Sequence, residues 1–165
     1  VVELNNWQQL RIARLVVHSL FGTVTGKRLT ILGFSFKANT NDTRQSPSIK
    51  IALNLLEEGA EVVIHDPKVN VDQISRDIGQ LPISMTQNEN IENNWKYATT
   101  IEEAVIGSDA VIILTDWDDY RNLNWNRIST LMRAPAWVFD ARSVADPVKV
   151  KEAGLTLWRV GYGDN

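Results

Sequence analysis

The sequence contains no cysteine in 165 residues. This absence excludes a disulfide framework, a thiolate metal site and a cysteine nucleophile within the chain. The chain also lacks any run of 18 apolar residues, the length that a membrane-spanning helix needs, and its first residues do not form a signal peptide. We therefore expect a cytoplasmic protein with no membrane partner.

Clustered positive charge is missing as well. The chain has 17 basic and 20 acidic residues and a net charge of -3, and its Lys and Arg residues are scattered. A protein that binds nucleic acid needs a basic patch or stripe, so no nucleic-acid partner is expected. Because no histidines or carboxylates have the spacing of metal ligands, no metal site is predicted.

Glycine is scarce where a dinucleotide-binding loop would need it. A G-x-G-x-x-G loop uses its glycines for a tight turn, for close approach to pyrophosphate and for helix packing. The segment after the first predicted strand reads GFSFKA and supplies only Gly33. The chain is therefore not expected to cradle NAD in the usual way.

The composition that is present suits one ordinary folded domain. Hydrophobic residues make up 44% and charged residues 22%, as in typical soluble domains. Apolar residues recur at steps of three and four over residues 4–21, which predicts an amphipathic helix that packs on another domain or subunit, with Trp7 as the best interface candidate. Because the chain begins at VVELNN without methionine, we expect it to be part of something longer.

Strand and helix patterns alternate along the rest of the chain. Ser46 and Pro47 have the positions of an N-cap and a first helical residue, and Thr100 and Glu103 have capping-box spacing. The alternation predicts an α/β fold, a Rossmann-like, doubly wound and mostly parallel sheet preceded by a helix. Without the glycine motif, such a fold suggests a half whose partner domain holds the cofactor. The predicted strands are 28–33, 61–67, 97–100, 109–115, 136–141 and 155–161, with one or two helices in 117–132 and a mobile loop at 80–94.

Cationic residues follow the strands at the edge where sheets of this kind bind ligands. Lys37 and Arg44 follow the first strand and Arg142 follows the fifth, so all three are predicted to line one rim. With exposed aromatic side chains, they suit an anionic ligand such as a nucleoside diphosphate. The alternative is that they are solvated charges paired with aspartates such as Asp42 and Asp116.

His65 ends the second predicted strand, directly before Asp66. A histidine there can act as a base, but hydrogen bonding to a turn is the more common role at a strand end. No catalytic residue is therefore assigned within this sequence.

The chain contains four ordered motifs, GFSFKANTNDTRQSPS, EVVIHDPKV, SDAVIILTDWDDY and WVFDARSV. Together they resemble the UDP-glucose/GDP-mannose dehydrogenase family, and the similarity extends over essentially the whole chain. The part that they resemble is the C-terminal domain. The resemblance implies that residues 1–24 are the end of a central dimerisation and linker helix, and that residues 25–165 are a nucleotide-sugar-binding, Rossmann-like domain of a homo-oligomer.

The resemblance also implies a reaction. Family members oxidise the C6 alcohol of a nucleotide sugar to a carboxylate with two molecules of NAD, through a thioester on a cysteine. The cysteine and the glycine motif belong to the N-terminal and central parts, which this sequence lacks, so NAD is expected to be bound mainly by the missing N-terminal domain and this chain alone to be inactive. The Asp-Thr-Arg triplet favours the branch that converts UDP-glucose to UDP-glucuronate, with GDP-mannose and UDP-N-acetylhexosamine as alternatives.

The resemblance assigns roles to four residues. Phe36 and Lys37 are expected to contact the substrate, with Lys37 near the sugar, and Arg142 is expected to meet the nucleotide sugar. Arg44 is expected to reach the NAD across the gap between domains. Ser143 stands where relatives place a second arginine. A nucleotide-sensing module and a purely structural dimerisation domain are the other functions that the sequence allows.

Overall fold

The computed structural model describes residues 2–83 and 94–160, and for residues 2–10 it describes the backbone alone. Helices alternate with strands along these residues, as predicted. The helices are α1 Val2–Ser19, α2 Pro47–Glu57, α3 Val71–Ile78, α4 Ile101–Val105, α5 Trp125–Leu131 and α6 Pro147–Glu152. The strands are β1 Arg28–Leu32, β2 Glu61–His65, β3 Trp95–Tyr97, β4 Ala110–Ile113, β5 Trp137–Asp140 and β6 Thr156–Arg159, and a short 3₁₀ helix spans Asp118–Tyr120.

The described strands form one sheet in the order β3-β2-β1-β4-β5-β6. Each neighbouring pair is parallel, with Ile31 of β1 beside Ile64 of β2 and Ile112 of β4. This order reverses direction between β1 and β4, as in a doubly wound Rossmann fold. The α/β prediction is confirmed, and the sheet is parallel throughout the described strands rather than mostly parallel.

Both faces of the sheet are covered, because alternate side chains of each strand point to opposite sides. Ile31 and Ile112 pack with α1, α2 and α3 on one face, whereas Val111 and Val138 pack with α4, α5 and α6 on the other. All of these strand side chains are fully buried. Burial on both sides explains why the central strands read as continuous apolar runs.

Helix α2 begins and ends as its sequence predicts. Ser46 accepts a hydrogen bond from the backbone N–H of Ser48 and Pro47 occupies the first turn, so the N-terminal donors are partly satisfied. Ile51 and Leu55, one turn apart, are both fully buried against the sheet. The cap places the start of α2 directly beneath the loop that follows β1.

Helix α1 packs on the same face of the sheet as α2. Val16 and Leu20 are buried in the core that α2 and the strands share, whereas Phe21 is 82% exposed. The predicted interface residue Trp7 lies outside the residues whose side chains are described. The division into a linker helix (1–24) and a domain (25–165) stays a prediction.

The short third strand differs from its prediction. It comprises Trp95–Tyr97 instead of 97–100, because Trp95 is fully buried and pairs beside Val62 of β2. Thr100 is unavailable to the strand because its hydroxyl caps α4, accepting from the backbone N–H of Glu103. Most of the predicted mobile loop at 80–94 lies outside the described residues.

Candidate functional site

The carboxyl ends of β1, β4 and β5 meet at one edge of the sheet. The strand order reverses between β1 and β4, and open α/β sheets bind ligands in the crevice at such a reversal. The first loop, residues 33–46, follows β1; the second loop, residues 141–146, follows β5; and residues 114–117 follow β4 between them. These three segments are therefore the candidate site.

Gly33 fixes the base of the first loop. Its φ is +100°, and a Cβ placed there would come within 2.4 Å of the Thr115 Cβ and 2.7 Å of the Thr115 backbone nitrogen. The Thr115 hydroxyl in turn donates to the Ser35 carbonyl over 3.0 Å. Glycine is required because β1 and β4 leave the sheet in contact with each other.

Asp66 anchors the start of the first loop through hydrogen bonds to its backbone. This carboxylate follows β2, is 4% exposed and accepts hydrogen bonds from three segments of the chain. Its role was not predicted from the sequence, although an aspartate just after a strand is a common acceptor for turn N–H groups. Its donors are the backbone N–H groups of Phe34 at 2.7 Å, Ser35 at 3.0 Å, Lys68 at 2.8 Å and Val69 at 2.9 Å, and the Trp117 indole N–H at 3.3 Å.

The tip of the first loop turns its side chains to solvent. The Phe36 backbone N–H donates to the Asp42 carbonyl over 2.7 Å, which closes the segment between them into a compact turn. Phe36 is 41% exposed and Lys37 is also exposed. Among the residues that the structure describes, no salt bridge to Lys37 is found. An amine and an aromatic face are thus presented together at the edge of the sheet.

Arg44 pairs with a residue of its own loop. Its Nε and Nη2 atoms donate to the two Asp42 carboxylate oxygens over 3.0 and 2.9 Å. Hydrogen bonds from the Arg44 side chain and backbone lower the pKa of Asp42 to about 2, and the same pairing raises the pKa of Arg44. Because the Arg44 side chain is 89% exposed, this is a solvated pair that contributes little to stability.

Arg142 lies in the second loop, whose backbone is held by Asp140. Asp140 is fully buried and accepts from the Arg142 backbone N–H over 3.0 Å and from the Ala145 N–H over 2.7 Å. The Arg142 side chain, 34% exposed, forms an ion pair with Asp116 at 3.3 Å. Arg142 is thus restrained by Asp116, which lies in the segment after the neighbouring strand β4.

His65 and Tyr120 form a buried pair beneath the first loop. The His65 Nδ1 and Tyr120 hydroxyl are 2.9 Å apart, and the same hydroxyl donates to the His65 carbonyl over 3.2 Å. Burial lowers the pKa of His65 and raises the pKa of Tyr120. Burial disfavours the charged form of both groups, and the structural role that we preferred for His65 stays a prediction.

The topology brings the predicted cations to one edge of the sheet. Lys37 and Arg44 lie in the loop after β1 and Arg142 in the loop after β5, two strand spacings away, or about 10 Å in the sheet direction. The aspartate pairs proposed as the alternative are present for Arg44 and Arg142. Exposed aromatic faces were predicted too broadly, because Trp117 is 4% exposed and only Phe36 is presented among the aromatic residues of these described loops.

The turn between β1 and α2 does not fit a bound dinucleotide. The space beside Gly33 is filled by Thr115, and the Ser46 hydroxyl, which caps α2, donates to the Phe34 carbonyl over 2.8 Å. The Ser48 hydroxyl donates to the Gly33 carbonyl over 2.8 Å. The backbone N–H groups of Phe34 and Ser35, the kind of donor that cradles a pyrophosphate, are already bonded to Asp66, so this turn has no free cradle for a dinucleotide.

Three further features bear on function. Within residues 2–83 and 94–160, no helix is both long and apolar enough to cross a membrane, and no group of three potential metal-ligating side chains is found. A groove of about 340 Å³ lies between α1 and α2, away from the carboxyl edge. Its lining includes Arg14, Val17, His18, Asn54 and Glu58.

The strand order and the loops at its reversal define a Rossmann-like α/β domain. Within that class, the chain belongs to the UDP-glucose/GDP-mannose dehydrogenase family: residues 30–147 match the family's UDP binding domain. The matched range includes the whole first loop, the segment after β4 and the whole second loop.

Two UDP-glucose 6-dehydrogenases are among the known proteins that are similar to the chain. UDP-glucose 6-dehydrogenase 5 of Oryza sativa subsp. japonica is 37% identical over 172 residues, and the UDP-glucose 6-dehydrogenase of Caenorhabditis elegans is 36% identical over 161 residues. Each alignment covers 98% of this chain but 35% and 33% of the relative, so the chain spans about a third of the length of these relatives.

Solved structures agree with the fold. A UDP-glucose dehydrogenase from Pyrobaculum islandicum superposes with a TM-score of 0.66 and 26% identity, over 93% of this chain and 30% of that one. An NDP-N-acetyl-D-galactosaminuronic acid dehydrogenase from Methanosarcina mazei Go1 gives a TM-score of 0.70 at 21% identity, over 93% of this chain and 28% of that one. The second similarity supports the fold alone.

Proposed function

We propose that this chain is the nucleotide-sugar-binding part of an NAD-dependent UDP-glucose 6-dehydrogenase, which as a whole oxidises UDP-glucose to UDP-glucuronate. The observation that carries the proposal is the arrangement of Lys37 and Arg142 in loops at the carboxyl edge, on either side of the segment after β4. The family match and the relatives named UDP-glucose 6-dehydrogenase support the choice of UDP-glucose.

Each residue of the proposed site supplies a different interaction. The Arg142 guanidinium binds the diphosphate, since its planar N–H groups match phosphate oxygens. Lys37 places a single positive charge near the sugar, and the exposed ring of Phe36 beside it covers an apolar part of the substrate. The sugar and the diphosphate thus bridge the first and second loops.

NAD belongs to the proposal as a cofactor held mainly by a domain outside this sequence. Arg44 is the residue of this chain that we assign to it, because the family resemblance gives this arginine a contact with the cofactor and its side chain is 89% exposed at the edge of the sheet. A domain that closes over the edge would complete the site and exclude water from it. Location in the cytoplasm, which rests on the sequence pattern, and a homo-oligomeric whole protein, which rests on the family resemblance, are part of the same proposal.

Calorimetric titration of the 165-residue chain with UDP-glucose tests the binding half of this proposal. We expect a dissociation constant of ~0.1 to 1 mM, since the other domain's contacts are absent. Lys37→Ala should weaken binding, whereas Lys149→Ala, which removes the same charge from exposed α6, should not. GDP-mannose should bind more weakly than UDP-glucose. A folded chain that gives no heat with millimolar UDP-glucose would contradict the proposal.

Steady-state kinetics test the catalytic half in a protein that also contains the NAD-binding domain. Lys37→Ala should lower kcat/KM for UDP-glucose by more than tenfold, or about 1.4 kcal/mol of transition-state stabilisation. An unchanged kcat/KM would remove Lys37 from the role proposed for it.

A further inference from the structure

Asp116 lies between two guanidinium groups at the carboxyl edge. It follows β4 by three residues, in the segment between the first and second loops. Its Oδ1 atom is 3.3 Å from Arg142 Nη2, and its Oδ2 atom is 3.9 Å from Arg121 Nη2. The Asp116 side chain is 33% exposed. One carboxylate thus connects the second loop with the segment after the 3₁₀ helix.

The backbone of the second loop is already fixed without Asp116. Asp140 accepts from the Arg142 N–H, Ser143 has a φ of +60°, and Arg159 Nη2 donates to the Ser143 carbonyl over 3.1 Å. What these bonds leave undetermined is the direction of the Arg142 side chain. Among the described residues, Asp116 is the one that forms an ion pair with it.

The contact restrains Arg142 without occupying it. A guanidinium carries five N–H donors in a planar fork, and the ion-pair distance to Asp116 is 3.3 Å, measured from the Nη2 atom of Arg142. By contrast, Arg44 uses both Nε and Nη2 on Asp42. The remaining Arg142 donors can therefore bind an anion while Asp116 limits the rotamers of the side chain, which lowers the entropy lost on binding.

We propose that Asp116 is a positioning residue, which holds the Arg142 guanidinium at the edge of the sheet so that it binds the diphosphate of the nucleotide sugar. This inference rests on the proposed function of Arg142. For removal of the Asp116 charge, this role predicts an effect on anion binding opposite to the one that electrostatic repulsion alone predicts. Removing a negative charge near an anion site should strengthen binding, whereas loss of the positioning contact weakens it.

Titration of the 165-residue chain with UDP distinguishes these two effects. Asp116→Asn keeps the shape of the side chain and removes its charge, and we expect the dissociation constant for UDP to rise about threefold to fivefold. Asp118→Asn is the matched control, because Asp118 is 96% exposed and pairs with Arg121 but not with Arg142. The control should bind UDP as tightly as the unchanged chain, or slightly more tightly.

A double substitution tests whether Asp116 acts through Arg142. In an Arg142→Ala background, Asp116→Asn should weaken UDP binding no further, because the side chain that it positions is absent. Thermal unfolding shows whether each variant folds; if Asp116→Asn does not, Asp116→Ser at this partly exposed position serves the same comparison. Asp116→Glu, which restores the charge, should recover part of the lost affinity.

The outcomes separate this inference from the proposed function. If the unchanged chain does not bind UDP, the proposed function fails and the inference fails with it. If the chain binds UDP and Asp116→Asn binds equally or more tightly, the positioning role is wrong while the nucleotide site stands. Further weakening by Asp116→Asn when Arg142 is already alanine would also overturn the positioning role.

Discussion

The first and second loops are both anchored by a buried aspartate, but their cationic side chains are restrained differently. Each is anchored at its base by a buried carboxylate that accepts backbone N–H groups, Asp66 for the first loop and Asp140 for the second. They differ at the side chains that face solvent. Lys37 is exposed without an observed salt bridge to a described residue, whereas Arg142 is restrained by Asp116 on the neighbouring segment.

The comparison teaches that anchoring a loop and orienting its ligand-binding side chain are separate tasks. In the first loop, the anchor fixes the course of the backbone; Arg44 pairs with Asp42 of the same loop, whereas Lys37 has no observed salt bridge to a described residue and can adapt to a sugar. In the second loop, both backbone and side chain are restrained. We therefore expect substitutions at the two bases to affect stability, and substitutions at the tips to affect binding.

The largest effect is expected at Gly33. Gly33→Ala should destabilise the domain by about 4 kcal/mol, because the new Cβ meets both side chain and backbone of Thr115 at a φ of +100°. Gly154→Ala is the matched control: its φ is +84° and nothing lies within 4 Å of the added Cβ, so the loss should be about 1 kcal/mol. Urea denaturation measures both, and equal losses would mean that β1 and β4 separate easily.

The two anchors should rank in a definite order. Asp66→Asn directs an amide N–H₂ at existing donors, since one Asp66 oxygen accepts from three N–H groups and the other from two, and should destabilise the domain by about 3 kcal/mol. Asp140→Asn affects two backbone hydrogen bonds and the ion pair with Arg159 at 3.6 Å, fewer contacts than at Asp66, and should lose about 2 kcal/mol. Chemical denaturation tests the order, and a greater loss at Asp140 would reverse our comparison of the loops.

The smallest effect is expected in the pH dependence of stability, through His65 at the end of β2. Burial lowers the pKa of His65 below its usual value of 6.5, and the nearby Asp66, Asp119 and Glu103 oppose this without overcoming it. The unfolded chain then binds the proton more readily, so stability should fall as pH drops below about 6.5 towards the lowered pKa. His65→Gln should reduce this slope in denaturation measurements between pH 5 and 7.5. His18→Gln, at an exposed position on α1, is the control substitution.

Much of the fold could be predicted because local signals carry it. The caps at Ser46 and Thr100 and the apolar runs placed helices and strands close to their observed bounds. The strand order could not be predicted, since alternation of strands and helices is compatible with several orders. The third strand was displaced because Trp95 follows an Asn-rich run and its burial depends on pairing with β2.

The candidate site was predicted in part for the same reason. A cation after a strand is visible in the sequence, and parallel topology alone brings Lys37 and Arg142 to one edge. The contacts that support them depend on residues distant in the chain, such as Asp66 with Phe34 and Asp116 with Arg142. No local pattern identifies these partners, although an aspartate directly after a strand is a place to look for them.

Chemical-shift mapping of the isotopically labelled 165-residue chain with UDP-glucose is the most direct test of the central claim, that the first and second loops together bind a nucleotide sugar. We predict saturable shifts at Phe36, Lys37 and Arg142, with little change along the α1–α2 groove. Shifts confined to that groove, or no saturable change at millimolar ligand with the fold intact, would contradict the account.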